Sequence, residues 1–381
     1  MLKVVFISNY FNHHQKLLSD SLHKNLNGNY AFIETEKIDE ERLKMGWGMD
    51  VYPDYVFNYL KEAEKCKNII DEADIIIYGS APEFLIYEQL NKGKLAFKYT
   101  ERIYKNGYNP LKLPVRLIRN YKRFGKYKNL YLLCASAYTY GDYAKTFNFK
   151  NKAFRWGYFP EFIKYENISE IIKQKNENQI LWCGRLIDLK HPEAAINAAE
   201  MLKNAGYDFN LKIIGTGVLE SEIKSAIKQK HLDDCVSILG AMSPEEVRKH
   251  MEQSQIFLFN SDKREGWGAV VNEAMNSACV VVSNTSPGSV PFLIDDGDNG
   301  IIYNPSDNKS LFEKVAYLLD NHSKLTEIAE AAYHTVADLW NCNVAAERFI
   351  ELSKSILNGN LYPDLYNDGP CSKAEIIKEL Y

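Results

Sequence analysis

A chain of 381 residues, 46% hydrophobic and 25% charged, is too long for one ordinary hydrophobic core and too apolar for a disordered, collagen-like or heptad-built protein. At about 150 residues per domain, two or three domains are expected. The net charge of −4 hides a division: the 26 Lys+Arg and 20 Asp+Glu up to residue 170, against 20 and 30 beyond it, leave the halves at +6 and −10.

The first apolar stretch, Met1-Leu-Lys-Val-Val-Phe-Ile, is too short for a signal-peptide core and reads as a first buried strand. From there, short apolar runs at 3–8, 74–79, 94–99, 129–135 and 152–156 read as strands, with helical patterns at 15–25, 82–90 and 114–125 between them. A polar connector, 168–178, leads to a second series of strands at 179–183, 210–214, 236–239, 256–260, 279–283 and 300–303. Helices at about 192–205, 218–230, 244–252, 268–277 and 307–320 separate these. The last forty or so residues read as a helix at 343–357 and a final short helix. Apolar strands alternating with helices predict parallel sheets covered on both faces, twice over. The expected domains are 1–170 and 171–340, each Rossmann-like, and 341–381, a helical extension that caps the second domain or crosses back to the first.

The longest apolar runs, such as 256–259 and 279–282, fall far short of the ~20 residues of a membrane span. Seven scattered cysteines without a C-x-x-C pair argue against a zinc cage or a disulfide framework, and a reducing cytoplasm is the expected compartment. Residues 92–128 hold twelve basic residues against one acid, Glu101, interleaved with Phe97, Tyr99, Tyr104, Tyr108, Tyr121, Phe124 and Tyr127. That mixture is read first as a solvated helix with its aromatics turned inward, and next as a contact for an anionic partner such as a membrane surface or an acidic glycan; nucleic acid is not expected.

In doubly wound sheets, ligands sit at the carboxyl ends of strands, so the loops there carry the chemistry. After 179–183 come Gly184-Arg185 and Lys190-His191-Pro192, two cations suited to a diphosphate and to the charge on one as it departs. Gly215-Thr-Gly217 follows the next strand, but Glu220 occupies the place of the third glycine of a dinucleotide fingerprint, and the loop at Ser8–Gln15 has no glycine. A nicotinamide or flavin dehydrogenase is therefore disfavoured. The stretch Glu265-Gly266-Trp267-Gly268…Glu273-Ala274 sets two carboxylates around a glycine-flanked turn where a helix begins.

Glu265 and Glu273 in an E-x7-E spacing, with Gly184-Arg185…Lys190, Gly215-Thr-Gly217, Gly240 and Asp296-Gly-Asp-Asn-Gly300 in the same order, resemble the signature of family-4 retaining glycosyltransferases. These have the GT-B fold, two Rossmann-like α/β domains with a cleft between them. The resemblance covers about 178–320; the first half is similar only in architecture. It implies that Arg185 and Lys190 hold the donor diphosphate, that Glu265 meets the transferred sugar and that Glu273 accepts the ribose hydroxyls. It further implies that backbone at Gly266, Trp267 and Gly268 lies near sugar or phosphate. Gly215 and Gly217 would allow the nucleotide close, and Gly240, Ala241 and Met242 would border the base. The resemblance is to the members that use no metal, and no cofactor is implied beyond the donor, a UDP-sugar ahead of a GDP-sugar.

On the acceptor side, His13 is expected to bond the sugar or orient the acceptor, with His14 beside it; an ordinary helix cap explains a histidine there equally well. Glu101 acts near the acceptor or simply pairs with Arg102 or Lys98. Two departures stand out: Asn9–His14 replaces a Gly-Gly loop, and Phe292 stands where an acid is common. The implied function is retaining transfer to a glycan or lipid-linked glycan in surface polysaccharide synthesis, in the cytoplasm or peripherally on the inner face of the plasma membrane. A GT-B nucleotide-sugar epimerase and a non-catalytic nucleotide-sugar-binding subunit are the alternatives.

Overall fold

The computed structural model describes residues 2–40, 48, 49 and 51–378. The chain divides into two compact units, Met1–Pro160 with Asn341–Lys378, and Glu161–Trp340. The second unit thus begins before the 170/171 boundary read from the sequence.

The first unit is built on β1 (Val4–Ser8), β2 (Tyr30–Glu34), β3 (Val56–Asn58), β4 (Ile75–Tyr78), β5 (Leu95–Thr100), β6 (Leu130–Cys134) and β7 (Ala153–Arg155), in the order β3-β2-β1-β4-β5-β6-β7. All pairs are parallel, and β1 is buried throughout because it is paired on both edges and covered on both faces. The sequence reading missed β2 and β3. The first is a short Tyr-Ala-Phe-Ile-Glu run after the Asn27-Gly28 turn; the second is a three-residue, half-buried edge strand with no alternation to detect. Helices Ala63–Glu72 and His322–His334 were also missed.

The C-terminal helix Cys342–Leu357 lies on the first unit. Phe349 meets the rings of Phe97 and Trp156, and Ser21 Oγ donates to Asn343. The short helix expected at the end is absent among the described residues. Instead Lys373 forms an antiparallel bridge with Phe154, and the amides of Arg155 and Ala374 donate to Ser372 and Ala153. An edge strand leaves a row of unpaired backbone groups, and the tail satisfies those of β7.

The second unit contains β8 (Gln179–Cys183), β9 (Asn210–Ile214), β10 (Val236–Gly240), β11 (Ile256–Phe259), β12 (Val280–Ser283) and β13 (Ile301–Ile302), ordered β10-β9-β8-β11-β12-β13 and parallel throughout. Both units are therefore Rossmann-like, as expected. The polar connector is not a free linker: Ile168 and Ile172 join the core, and buried Lys175 donates to the carbonyls of Met251, Ser254 and Ser277. It thereby satisfies carbonyls left open where two helices end. All seven cysteines are free thiols. Among the described residues no helix is long and apolar enough to cross a membrane.

Candidate active site

In the second sheet the strand order reverses between β8 and β11, so the loops leaving these neighbouring strands part in opposite directions and open a crevice. Those two loops carry Arg185, Lys190 and Glu265. Lys190 Nζ donates to a Glu265 carboxylate oxygen and lies 5.5 Å from the centre of the Phe259 ring. Both side chains of this pair are largely shielded from solvent, where an ion pair is screened less than at the surface. Arg185 is exposed, and its side chain has no hydrogen-bond or ion-pair partner among the described residues. One cation is thus held in place while the guanidinium of the other faces solvent.

A second network fastens the same two loops together. Arg264 joins Asp262 to Asp188, and His191 bridges Glu193 at 2.7 Å and Asp262 at 3.2 Å. Asp262 N–H donates to the carbonyl of Leu189 at 3.0 Å. The Glu193 and Asp262 carboxylates raise the His191 pKa, Glu193 most. Sequence reasoning had no signal for Asp262 and Arg264, whose charges look like ordinary surface ones until the strands are paired.

Gly215 and Gly217 have a local structural reason. A Cβ at Gly215 would lie 1.9 Å from the Gly184 carbonyl oxygen, and one at Gly217 would lie 2.3 Å from that of Leu186. The loop after β9 therefore presses its backbone against the loop after β8, with Leu186 N–H donating to Thr216 and Leu219 N–H to Leu186. Gly215 N–H donates to Gly240, which ties in the end of β10; beyond it Ala241 is exposed and Met242 half-buried. Gly268, at φ 90°, closes over Phe259, where a Cβ would approach to 2.4 Å.

The helix after this turn runs Val270–Asn276, starting two residues later than expected and spanning only about two turns. Gly266 and Trp267 are buried, and the Trp267 indole donates to Asn272 at 2.9 Å. Phe292 stacks on Trp340 and lies near Trp267, so the residue that stands in place of an acid fills an apolar aromatic cluster. Glu273 is half-buried on that helix. Burial pushes its carboxyl up to about 7, Arg248 acting against the rise and Glu161 adding to it.

His13, His14 and Glu101 belong to the first unit. Asn12, rather than either histidine, caps the helix His13–Asn25, its side chain accepting from the His14 amide. Burial lowers both imidazoles, that of His14 to about 3, so both are neutral near pH 7. The His14 ring meets Tyr158 at 6.0 Å, and Tyr158 Oη donates to Glu101 at 2.9 Å. Tyr158, which the sequence reading overlooked, thus joins two residues far apart in the chain. Glu101 pairs with Lys105, not with Arg102 or Lys98: Arg102 lies near Asp142, and Lys98 is turned over Tyr78.

Residues 164–335 match the family model of glycosyl transferases group 1, which places the β8 and β11 loops inside the matched region. Over 179 residues the chain is 30% identical to the amylovoran biosynthesis glycosyltransferase AmsK of Erwinia amylovora; the match covers 46% of this chain and 44% of AmsK, less than half of that relative's length. It is 26% identical to the uncharacterized glycosyltransferase MJ1178 of Methanocaldococcus jannaschii, covering 72% of this chain and 74% of that one. Anabaena Alr3699/HepE, solved in complex with UDP, superposes with a TM-score of 0.68 at 14% identity over 93% of this chain and all of that one, which makes the fold GT-B.

Proposed function

We propose that the chain is a retaining glycosyltransferase that moves a sugar from a nucleoside diphosphate sugar to a hydroxyl of a glycan or lipid-linked glycan, with a UDP-sugar as donor. The observation that carries this reading is the Lys190–Glu265 pair beside unpartnered Arg185, at the reversal point of the unit that matches the transferase family model. An incoming diphosphate pairs with Arg185 and competes with Glu265 for Lys190. The carboxylate it releases is then free to accept hydrogen bonds from the sugar hydroxyls. Glu273, low in polarity around its carboxyl, accepts from the ribose.

In the transfer, the bond from the anomeric carbon to the diphosphate oxygen breaks and its electron pair stays on that oxygen. The acceptor oxygen bonds the same face of the carbon, and its proton passes to the departing phosphate. Arg185 and Lys190 stabilise the charge that grows there. This chemistry asks for no metal and no further cofactor. Replacing Glu265 by Ala is expected to abolish transfer while largely sparing nucleotide binding; near-normal turnover would sink the assignment. R185A is expected to slow the leaving step by ~3 kcal/mol, the scale of one lost oxyanion-type donor. Donor incubated without acceptor stays unconverted under this reading, whereas an epimerase consumes it.

For the acceptor side we take an anionic membrane surface, where a lipid-linked glycan would be met in surface polysaccharide synthesis. Support comes from the helix Leu113–Asn120 and its flanks, where Leu111, Val115, Ile118 and Tyr121 are exposed at helical spacing among Lys112, Arg116, Arg119 and Lys122. The name of AmsK, an amylovoran biosynthesis enzyme, agrees with that setting.

A further inference from the structure

The first unit contains a cavity of about 910 Å³ between the end of β5, the segment 102–107 that follows it and the helix Leu113–Asn120, and among the described residues no carboxylate lines it. Seven cations do. Three have acids behind them: Lys105 pairs with Glu101, Arg123 with Glu83, and Arg102 lies 3.9 Å from Asp142. The other four, Lys98, Lys112, Arg116 and Arg119, have no carboxylate partner among the described residues. Arg116 donates to the Asn109 carbonyl and stacks over Tyr104 and Tyr108, which holds its guanidinium against one wall.

Lys98 is the deepest of the four. Its side chain rises from β5, the residue is only 9% exposed, and its ammonium makes no hydrogen bond or ion pair among the described residues. It rests 4.6 Å from the centre of the Tyr78 ring and 5.5 Å from that of Phe124. Burial lowers its pKa to about 8, against the pull of Glu83, so the group stays mostly charged at neutral pH. Lys98, Thr100 and Arg123 also line an adjoining cavity of about 740 Å³. Burying a charge with no hydrogen-bonded or ionic partner is costly, and an anion arriving in the cavity would offset that cost.

We infer that this cavity binds a phosphate or diphosphate group, with Lys98 at its floor and Arg116, Arg119 and Lys112 at its mouth. A single carboxylate would neutralise one of the four free cations. A diphosphate carries several charges, and its oxygens match the arginine fork. The inference stands whether or not the second unit transfers a sugar. The group arrives either on a soluble molecule or on a lipid whose chain would lie along Leu111, Val115 and Ile118.

The test uses the full chain in an R185A background, so that the donor loops do not answer for the cavity. Calorimetric titration with inorganic pyrophosphate is expected to show saturable, salt-sensitive binding. K98M and R119Q should each weaken it about ten-fold, the equivalent of one charge-assisted hydrogen bond. R119Q, on an exposed helix face, keeps the test decisive if K98M does not fold. Flotation with phosphatidylcholine vesicles, with and without phosphatidic acid, separates the sources. Capture that requires phosphatidic acid and falls in R119Q assigns a lipid headgroup; pyrophosphate binding without such capture assigns a soluble ligand. Pyrophosphate affinity and vesicle capture both absent, or both unchanged in R119Q, would overturn the inference.

Discussion

At the scale of single residues, the site in the second unit is a set of charges whose state depends on what surrounds them. Lys190 and Glu265 satisfy each other, Arg185 satisfies nothing, and Glu273 is held toward its neutral form by burial. The last has a thermodynamic consequence. With a folded pKa near 7 and an unfolded one in the usual carboxylate range, the folded chain binds more protons than the unfolded one between those values. Stability must therefore fall as pH rises through that window, with the full penalty present above pH 7. Glu273→Gln removes the titration, so the variant should gain stability over the native chain at pH 8 and lose that advantage at pH 4. Urea midpoints of the two proteins across this range check it; a difference that does not change with pH would show that Glu273 does not carry the proton. The two glutamates and two cations were legible as candidates because each pair sits in one short motif, whereas the meeting of Lys190 with Glu265, 75 residues away, was not. Asp262, Arg264 and Tyr158 were not, because their partners come from other strands or other loops.

At the scale of elements, the helix Leu113–Asn120 shows how composition underdetermines a surface. Its neighbourhood was read as either a membrane-contacting stretch or a solvated helix with its aromatics inward. The structure turns Phe97, Tyr104, Phe124 and Tyr127 inward, as the second reading has it, while the aliphatic Leu111, Val115 and Ile118 are exposed with Tyr121. An apolar stripe flanked by Lys and Arg is the pattern of a helix lying in a bilayer interface, where apolar burial and attraction to anionic lipid act together. Val115→Asp with Ile118→Asp is expected to abolish capture by anionic vesicles while leaving the circular dichroism and melting of the soluble protein unchanged. Capture equal to that of the native chain would exclude this face as the contact. The substitutions are on exposed positions, so a loss of binding would not reflect a loss of fold.

At the scale of the whole molecule, the chain leaves the first unit at Pro160 and returns to it at Asn341. The return is held by apolar packing as well as by backbone bonds to β7. Phe349 is fully buried against Phe97 and Trp156, and truncating such a ring costs roughly 3–5 kcal/mol. Phe349→Ala should therefore destabilise the first unit by that amount. Hydrogen exchange is expected to show faster opening in β5 and β6 with little change in β8 and β11. Equal acceleration in both sheets would mean that the units unfold together rather than separately.

What the sequence determined by itself is what repeats locally: eleven of the thirteen strands among the described residues, most of the helices there, and the order of motifs in the second series. Buried parallel strands announce themselves as unbroken apolar runs, and ligand loops carry glycines and charges at short range. Tertiary structure alone decided the rest. It decided that the C-terminal helix lies on the first unit, that Gly215 and Gly217 serve the packing of one loop on another, and that Phe292 belongs to an aromatic cluster. It also divided the charge more finely than the halves at +6 and −10 could: in the basic stretch, among the described residues, three of seven cavity cations are answered by carboxylates and four are not. The reason is physical. Propensity and periodicity act over a few residues, whereas burial and ion pairing depend on which distant segments the folded chain brings within a few ångströms.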